Sequence, residues 1–284
     1  MDRDNPNEMT IRLLSDEKIA ETSSKGNQEK WYDSDTDSWY KLDQFGYEAL
    51  SETLTSMLLE ESNIESETPF TFVRYHMARL RVRDRDRNGC KSQNFLHSGK
   101  ALITVNRLLT NNLGITLNQK LMKLPSDKKR IAYLAEATAE YTGLTEFPRY
   151  LTLLFEVDTL FCNDDRHLNN IAVIQHADKY EYCPIFDNAA GLLSNTQLAQ
   201  MDISPKSLIA SLKARPFNTT FNRQMKSACN LYGKQLIMPR LSASEIQKVL
   251  HPLLEYYAER DRGIIADRVV ECILLRQRAA ANYS

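Results

Sequence analysis

The hydrophobic periodicity of the chain changes near Ser98, and this change limits the fold more than any other feature of the sequence. Before it, short alternating stretches typical of strands surround one segment, residues 46–61, whose apolar side chains follow helical spacing. After it, helical spacing dominates, and two short strand-like stretches at residues 171–175 and 182–186 form a single hairpin. The sequence therefore predicts an α+β fold in which a small β-rich lobe with one helix precedes a larger, mostly helical lobe.

The boundary between the two lobes is predicted after residue 97, giving units of residues 1–97 and 98–284. In the first unit Asn88 and Gly89 predict a type I′ turn between strand-like stretches, because both residue types tolerate positive φ. The other predicted strands lie at residues 11–14, 31–32 and 39–42. In the second unit helices are predicted at residues 99–112, 117–123, 126–142, 146–161, 243–258 and 262–279.

Charge and length limit the classes of partner. The chain has 284 residues, with 36 Lys and Arg against 37 Asp and Glu, and this balance gives no basis for expecting nucleic acid or an anionic membrane as partner. No stretch approaches the roughly 18 uninterrupted apolar residues of a transmembrane helix. A chain of this length buries enough surface to fold without a metal or disulfide.

The cysteines and the N-terminal residues indicate the cellular location of the protein. Five cysteines are widely scattered with no CxxC pair, which argues against a disulfide framework and against a structural zinc site. The first ten residues are polar and acidic, unlike a secretory signal. We therefore expect a cytoplasmic protein, and export by a route that needs no such signal stays open.

One constellation indicates phosphoryl-transfer chemistry. Asp165 precedes Asn170 by five residues, and Asp187 follows at the end of a strand-like run. Transfer of a phosphoryl group from ATP uses one carboxylate that orients the acceptor hydroxyl and takes its proton, and an amide oxygen and a second carboxylate that hold Mg²⁺. The spacing predicts that these three side chains occupy adjacent loops at the mouth of the hairpin.

A cation for the phosphates is expected in the β-rich lobe. Lys41 lies in a predicted strand just before the helix that carries Glu48 and Glu52. A lysine paired with a helix glutamate is held extended toward the α- and β-phosphates. Glu48, in the first turn, is the preferred partner, and Glu52, one turn further on, is the alternative.

These residues resemble the motifs of the HipA-like serine/threonine kinases of bacteria, whose fold is akin to that of phosphatidylinositol kinases. Asp165-Arg-His-x-x-Asn170 is similar to the D-x-H-x-x-N catalytic loop of both groups. Ser23-x-x-Gly26-x-Gln28-x-Lys30 resembles the loop that covers the nucleotide in HipA-like kinases. The resemblance extends from Ser23 to Asp187 and describes a short form without the extra N-terminal module of longer HipA toxins.

The resemblance implies roles for particular residues. Asp165 would be the catalytic base, Asn170 and Asp187 would bind magnesium, and Lys41 would contact ATP, with Glu48 holding it. Ser23 and Gly26 would cover the phosphates. His167 is expected to brace the loop. Two interpretations of Arg166 stay open: it neutralises charge near the phosphates, or it is a surface arginine.

The function that follows is that of an ATP- and Mg²⁺-dependent serine/threonine protein kinase, toxin-like or effector-like and able to phosphorylate itself. Its partner would be a protein with a Ser or Thr acceptor, and an inhibitory partner is left unassigned. Two alternatives keep the same fold: a kinase acting on a lipid or small molecule, and a non-catalytic nucleotide-binding pseudokinase.

Overall fold

The structure, a computed structural model, describes residues 11–14, 29–113 and 115–281. Its strands are β1 (Ile11–Leu14), β2 (Lys30–Asp33), β3 (Ser38–Leu42), β4 (Tyr75–Val82), β5 (Arg85–Gln93), β6 (Lys100–Thr104), β7 (Ala172–His176) and β8 (Lys179–Tyr182). Its helices are α1 (Glu48–Leu59), α2 (Ile64–Glu67), α3 (Val105–Leu113), α4 (Leu117–Met122), α5 (Asp127–Thr142), α6 (Phe147–Phe161), α7 (Pro205–Ser211), α8 (Phe221–Tyr232), α9 (Ala243–Leu254) and α10 (Glu259–Ala281).

The strands form two sheets. The first has the order β1-β4-β5-β3-β2, with β1 parallel to β4 and the other neighbours antiparallel. The second has the order β6-β7-β8 and is antiparallel. The first sheet ends at Gln93 and the second begins at Lys100. The chain therefore passes from one sheet to the other between these two residues, and the predicted boundary after residue 97 lies between them.

Helix α1 lies at the centre of the molecule. Every one of its residues except Met57 is buried, and its leucines Leu50 and Leu54 belong to a hydrophobic core that also includes Phe155 of α6 and Ile273 of α10. A buried polar group without a hydrogen bond is costly, so most polar side chains of a helix buried on all sides are expected to have partners. The glutamates and serines of α1 have them, whereas the hydroxyls of Thr53 and Thr55 are buried without one.

The β4–β5 hairpin corrects one prediction. The turn lies at Arg83 and Asp84, whose φ angles of 49° and 58° are those of a type I′ turn. Asn88 and Gly89 lie inside β5 instead. Gly89 is needed there for a different reason, since a Cβ atom on it would lie 2.3 Å from the carbonyl oxygen of Lys41 on the neighbouring strand.

Two further boundaries differ from the sequence prediction. Residues 100–104, expected in a helix, form β6, and the helix α3 begins only at Val105. The edge position opposite β7 explains the difference, because the backbone of these residues pairs with Ala172–His176. The strand expected at residues 182–186 is β8 at Lys179–Tyr182. No helix among the described residues is long and apolar enough to cross a membrane.

Candidate active site

Lys41 connects helix α1 with the segment that follows β8. It lies on β3, and its Nζ donates hydrogen bonds to Oε1 of Glu52 on α1 and, at 2.8 Å, to Oδ1 of Asp187. Burial alone would lower the pKa of the Lys41 ammonium, but the carboxylates of Asp187 and Glu52 raise that pKa well above its ordinary value. Lys41 is therefore a permanent cation joining the first sheet, α1 and the segment after β8.

The expected pairing of Lys41 with Glu48 is wrong. Glu48 accepts hydrogen bonds from the backbone N–H groups of Phe45 at 2.6 Å and Gly46 at 3.0 Å. These N–H groups lie in the turn before α1, so Glu48 fixes that turn, and the helix dipole favours a carboxylate at its position in the first turn. Glu52, the alternative, is one turn further along the helix and opposite Lys41, and it is fully buried.

The carboxyl group of Asp187 stays ionised because its pKa is low. Burial would raise the pKa of its carboxyl, but the neighbouring Lys41 lowers that pKa to about 2. Its φ angle is 61°, in the left-handed region that Asp tolerates better than most residues. Such a conformation is costly and persists where surrounding contacts fix it.

The loop after α6 holds Asp165 and Asn170 together. The amide Nδ2 of Asn170 donates to the carbonyl oxygen of Asp165 at 3.0 Å. Asn163 connects this loop to Asp187. Its Nδ2 donates to the carbonyl oxygen of Asp187 at 3.1 Å. Its Oδ1 accepts from the backbone N–H of Asp165 at 3.3 Å. The structure thus brings Lys41, Asp165, Asn170 and Asp187 into one connected site.

The carboxyl group of Asp165 is accessible, with 61% of its side chain exposed. Its pKa is raised from the ordinary value, first by partial burial and also by the charge of Asp187, against the opposing effect of His167. The adjacent Asp164 has a pKa raised to about 6 by burial and by Asp165. A carboxylate with a raised pKa accepts a proton more readily near neutral pH than an ordinary Asp.

His167 and Arg166 support this loop in different ways. The Nε2 atom of His167 lies 3.8 Å from Oδ2 of Asp165, and its Nδ1 accepts from the backbone N–H of Asn169 at 3.2 Å, as expected of a bracing residue. Arg166 is fully buried and donates to Asp158 of α6, to the carbonyl oxygens of Asn170 and Phe186, and to Asn188. The interpretation of Arg166 as a surface residue is therefore wrong.

The segment that follows Asp187 is fastened to α1. The backbone N–H of Asn188 donates to Oε2 of Glu52 at 2.8 Å, and Oγ of Ser51 donates to the carbonyl oxygen of Asn188 at 2.8 Å. Further along, the hydroxyl of Tyr47 donates to the carbonyl oxygen of Leu192 at 2.8 Å. The position of Glu52, and with it that of Lys41, therefore depends on this segment.

Sequence reasoning did not assign a role to Lys30 at this site, although it quoted the residue within a motif. Lys30 of β2 pairs in register with Lys41 of β3, so the two side chains lie on the same face of the sheet. Burial and then the charge of Lys41 lower the pKa of Lys30, while Asp187 and Glu52 raise it. Ser23 and Gly26, the expected phosphate cover, lie outside the described residues.

The donor set fits a magnesium ion held together with phosphates. Asp187 is ionised, and the bond from Asn170 Nδ2 to Asp165 uses the amide nitrogen and leaves the amide oxygen as the atom for a cation. Mg²⁺ binds oxygen ligands and is commonly held by one or two carboxylates plus substrate phosphates. No cluster of three or more His, Cys, Asp or Glu side chains that could hold a metal occurs within residues 29–113 and 115–281.

The structure is similar to that of the proinflammatory kinase CtkA from Helicobacter pylori, with a TM-score of 0.59 and 14% sequence identity, and the match covers 97% of this chain and 99% of that chain. The chain has the fold of a kinase. The predicted α+β, two-lobed protein-kinase-like fold is thereby confirmed, and α2 adds a short second helix to the β-rich part.

A second solved structure is HipA of the Shewanella oneidensis toxin–antitoxin system, in complex with HipB and operator DNA. It matches with a TM-score of 0.48 and 12% identity over 89% of this chain and 64% of that chain. No protein-family model and no curated protein sequence matches the chain.

Proposed function

We propose that this protein is a phosphotransferase that uses Mg²⁺ and ATP, and that it acts on serine or threonine of a protein. The observation that supports this most is the pair of bonds from Lys41 to Glu52 and to Asp187, with Asp165 and Asn170 tied to the same segment through Asn163. Phosphoryl transfer depends on positioning and on charge stabilisation, and these contacts link a cation, two acids and an amide, which are the groups that such a transfer uses.

Each residue has a proposed role. Lys41 binds the non-transferred phosphates, and Glu52 holds it extended. Asp187 and Asn170 hold the magnesium ion, which when bound neutralises charge that develops on the phosphate oxygens. Ser23 and Gly26 cover the phosphates. The lobe of residues 1–97 covers the nucleotide, and the lobe of residues 98–284 carries the catalytic loop.

Asp165 is the proposed catalytic base. It accepts a hydrogen bond from the acceptor hydroxyl, whose oxygen attacks the γ-phosphorus while the bond from that phosphorus to the β–γ bridging oxygen breaks. The hydroxyl proton passes to Asp165, and the bond's electron pair leaves with ADP. The exposure of Asp165 gives an acceptor access to it. We further propose a cytoplasmic location and phosphorylation of the protein by itself.

The test is a transfer assay with γ-labelled ATP and Mg²⁺ on the wild type, on Asp165→Asn and on Asp178→Asn. Asp178 lies in the exposed turn between β7 and β8, so it is a control with the same change of charge. Since general base catalysis contributes roughly 10²- to 10⁴-fold, we expect Asp165→Asn to lose at least about 100-fold in transfer. Asp178→Asn should behave as wild type.

Thermal shift with Mg-ATP separates binding from chemistry in the same variants. Asp165→Asn should retain the stabilisation by Mg-ATP, because Asp165 does not hold the nucleotide. Undiminished transfer by Asp165→Asn contradicts its assignment as the base. Stabilisation of the wild type by Mg-ATP with no transfer to itself, to protein, to lipid vesicles or to water would indicate the pseudokinase alternative.

A further inference from the structure

The surface around the catalytic loop is basic, although the whole chain has a net charge of −1. We call this surface the basic band and define it by eight cationic side chains that are exposed or half-buried. They are Arg107, Lys120, Lys123, Lys128, Lys129, Arg130, Arg215 and Arg223. They come from α3, α4, α5, α8 and the loop before α8.

Arg215 is the member that lies in the loop before α8. The loop of residues 214–219 is closed by paired backbone hydrogen bonds between Ala214 and Thr219, at 2.7 and 3.3 Å. The carbonyl oxygen of Arg215 accepts a hydrogen bond from Gln224 of α8 at 2.7 Å. The backbone of Arg215 is therefore fixed while its guanidinium remains exposed.

The same loop is packed against the helix that leads into the catalytic loop. The ring of Phe217 lies 6.0 Å from that of Phe155 of α6, measured between centroids. The positive charge of Arg215 lowers the pKa of both Asp164 and Asp165, against the raising effect of their burial. Such an effect on both carboxyls agrees with a guanidinium close to the catalytic loop.

Arg107 flanks the catalytic loop from another element. The neighbouring residue Asn106 donates through Nδ2 to Oδ1 of Asn169 at 3.0 Å. The backbone N–H of Asn106 also donates to the carbonyl oxygen of Leu168 at 3.3 Å. These bonds hold the first turn of α3 against the catalytic loop. The backbone of Arg107 is therefore held close to residues 168–169, and its side chain is exposed.

Asp127 joins the remaining cations into one surface. It is buried at the start of α5 and pairs with Arg130 at 3.1 Å and with Arg223 of α8 at 2.8 Å. Arg130 also donates to the carbonyl oxygen of Leu121 at 3.1 Å, which ties this link to Lys120 and Lys123 at the end of α4. The other two lysines are in the first turn of α5. One buried acid between two arginines leaves the band with a large excess of positive charge.

The composition of the band favours a protein segment over a lipid surface. Peripheral proteins that bind membranes add apolar side chains that insert between the headgroups. Residues 105–111 of α3, the catalytic loop and residues 213–220 contribute no large exposed hydrophobic side chain. Within the band one such side chain, that of Met122 between Lys120 and Lys123, is 80% exposed, and a single apolar side chain among eight cations is little for membrane insertion.

We propose that the acceptor is an acidic protein segment, whose Asp and Glu side chains dock on the basic band and bring a nearby Ser or Thr to Asp165, with Arg215 as the specificity-determining contact. This inference rests on the proposed function and adds to it the chemical class of the acceptor. Complementary charge at a docking surface accelerates association and discriminates between partners.

The test compares two short serine-containing peptides of equal length, one flanked by Glu and one flanked by Lys, with the full-length protein. Binding is measured by fluorescence anisotropy without nucleotide, and phosphorylation is measured separately. We expect the Glu-flanked peptide to bind at least tenfold more tightly, and this preference to weaken as salt is raised, because exposed charges are screened.

Two charge-reversal variants sharpen the test. Arg215→Glu should raise KM for the Glu-flanked peptide more than it lowers kcat, and should improve binding of the Lys-flanked peptide. Arg260→Glu makes the same change at a residue of α10 whose side chain is 87% exposed, and it should leave the preference intact. Thermal shift with Mg-ATP verifies that both variants are folded.

The outcomes distinguish this proposal from the proposed function. Equal binding of the two peptides overturns the acidic acceptor, whether or not transfer occurs, and so does an unchanged preference in Arg215→Glu. Binding to phosphatidylserine vesicles with no preference between the peptides also overturns it. A strong preference for the Glu-flanked peptide with no transfer to any acceptor supports the docking surface and contradicts the kinase activity.

Discussion

Two ion clusters lie on either side of the Asp187–Asn188 peptide, and they differ in how completely they are closed. In the first, Lys41 joins Glu52 and Asp187, and the Asp187 side chain is 29% exposed. In the second, Arg166 joins Asp158 and Asn188, and the arginine side chain is 0% exposed. Adjacent residues of the chain therefore belong to an open cluster and to a sealed one.

The sealed cluster has its hydrogen-bonding capacity filled. The guanidinium of Arg166 has five N–H donors, and its three nitrogens reach Asp158, Asn188 and the carbonyl oxygens of Asn170 and Phe186. A buried charge is tolerated only with such compensation. This cluster fixes the ends of the catalytic loop and of the segment carrying Asp187.

The open cluster has the opposite character. Lys41 serves two carboxylates, and the group remains partly accessible to a ligand. In the proposed function a phosphate takes the place of Asp187 on Lys41, and Asp187 then binds the metal ion. The comparison teaches that the saturated cluster holds the loop in place, whereas the adjacent cluster keeps an accessible carboxylate.

The largest expected effect concerns the sealed cluster. Arg166→Met should lower the free energy of unfolding by about 3–5 kcal/mol, because it leaves the buried Asp158 carboxylate without its cation. Urea denaturation measures this change. The double variant Arg166→Met/Asp158→Leu should regain much of the stability, since it removes both charges.

The control for this prediction is an exposed ion pair. Arg74 pairs with Glu65 at 2.7 Å, and both side chains are more than a third exposed, so Arg74→Ala should change stability by no more than about 1 kcal/mol. Equal losses in Arg166→Met and Arg74→Ala would remove the distinction between a sealed pair and a surface pair.

The next effect concerns the open cluster. Lys41→Met should reduce kcat/KM for phosphoryl transfer on the order of 10²- to 10³-fold, as is typical when one group that stabilises developing charge is lost. It should also raise the pKa of Asp187 from about 2, so that Mg-ATP binding is lost at a higher pH on acidification than in the wild type. Retention of full transfer by Lys41→Met would contradict the proposed role.

The two glutamates of α1 give a smaller and more selective effect. A hydrogen bond to a charged group contributes about 1.5–3 kcal/mol, so Glu52→Gln should lower kcat/KM roughly 10- to 100-fold. Glu48→Gln should leave transfer near the wild-type rate and lower stability by about 1 kcal/mol or less, because the amide oxygen of Gln can still accept hydrogen bonds from the turn before α1. The reverse pattern would reinstate Glu48 as the partner of Lys41.

The last effect comes from a third carboxylate, which has no cation beside it comparable to Lys41 or Arg166. Asp43 accepts from the backbone N–H of Ala49 and from the hydroxyl of Tyr257, and burial raises its pKa from 3.8 to about 7. The native state therefore binds this proton more tightly than the unfolded state. Its contribution to stability is present below pH 4 and is lost as the pH rises through 7.

Replacement of Asp43 by Asn should flatten the pH dependence of stability. Urea denaturation at pH 5 and pH 8 should show a smaller loss toward pH 8 in Asp43→Asn than in the wild type. Part of the slope remains, because burial also raises the pKa of Glu156 to about 7. Identical slopes in the two proteins would mean that Asp43 titrates as an ordinary carboxyl.

Local spacing selected Lys41, Asp165, Asn170 and Asp187, although it preferred Glu48 to Glu52 and gave no role to Lys30. Asp165 and Asn170 are close in sequence, so one loop holds both, and the strand-like run before Asp187 indicated where that residue lies. The change of hydrophobic periodicity near Ser98 also predicted the fold class. These features depend on contacts between residues near one another in the chain, which sequence patterns record well.

Contacts between distant residues could not be predicted in this way. Glu48 and Glu52 are four residues apart and lie on the same face of α1, so only the tertiary position of α1 relative to β3 decides which of them meets Lys41. The roles of Arg166 and Gly89 were missed for the same reason, since each depends on groups contributed by other elements.

The most direct test of the account is calorimetric binding of ATP with and without Mg²⁺ to the wild type, to Asp187→Asn and to the control Asp178→Asn. The account predicts that Mg²⁺ strengthens binding to the wild type and to Asp178→Asn, and that Asp187→Asn loses most of this metal-dependent gain. Full retention of the gain in Asp187→Asn would contradict the assignment of Asp187, and with it the proposed site.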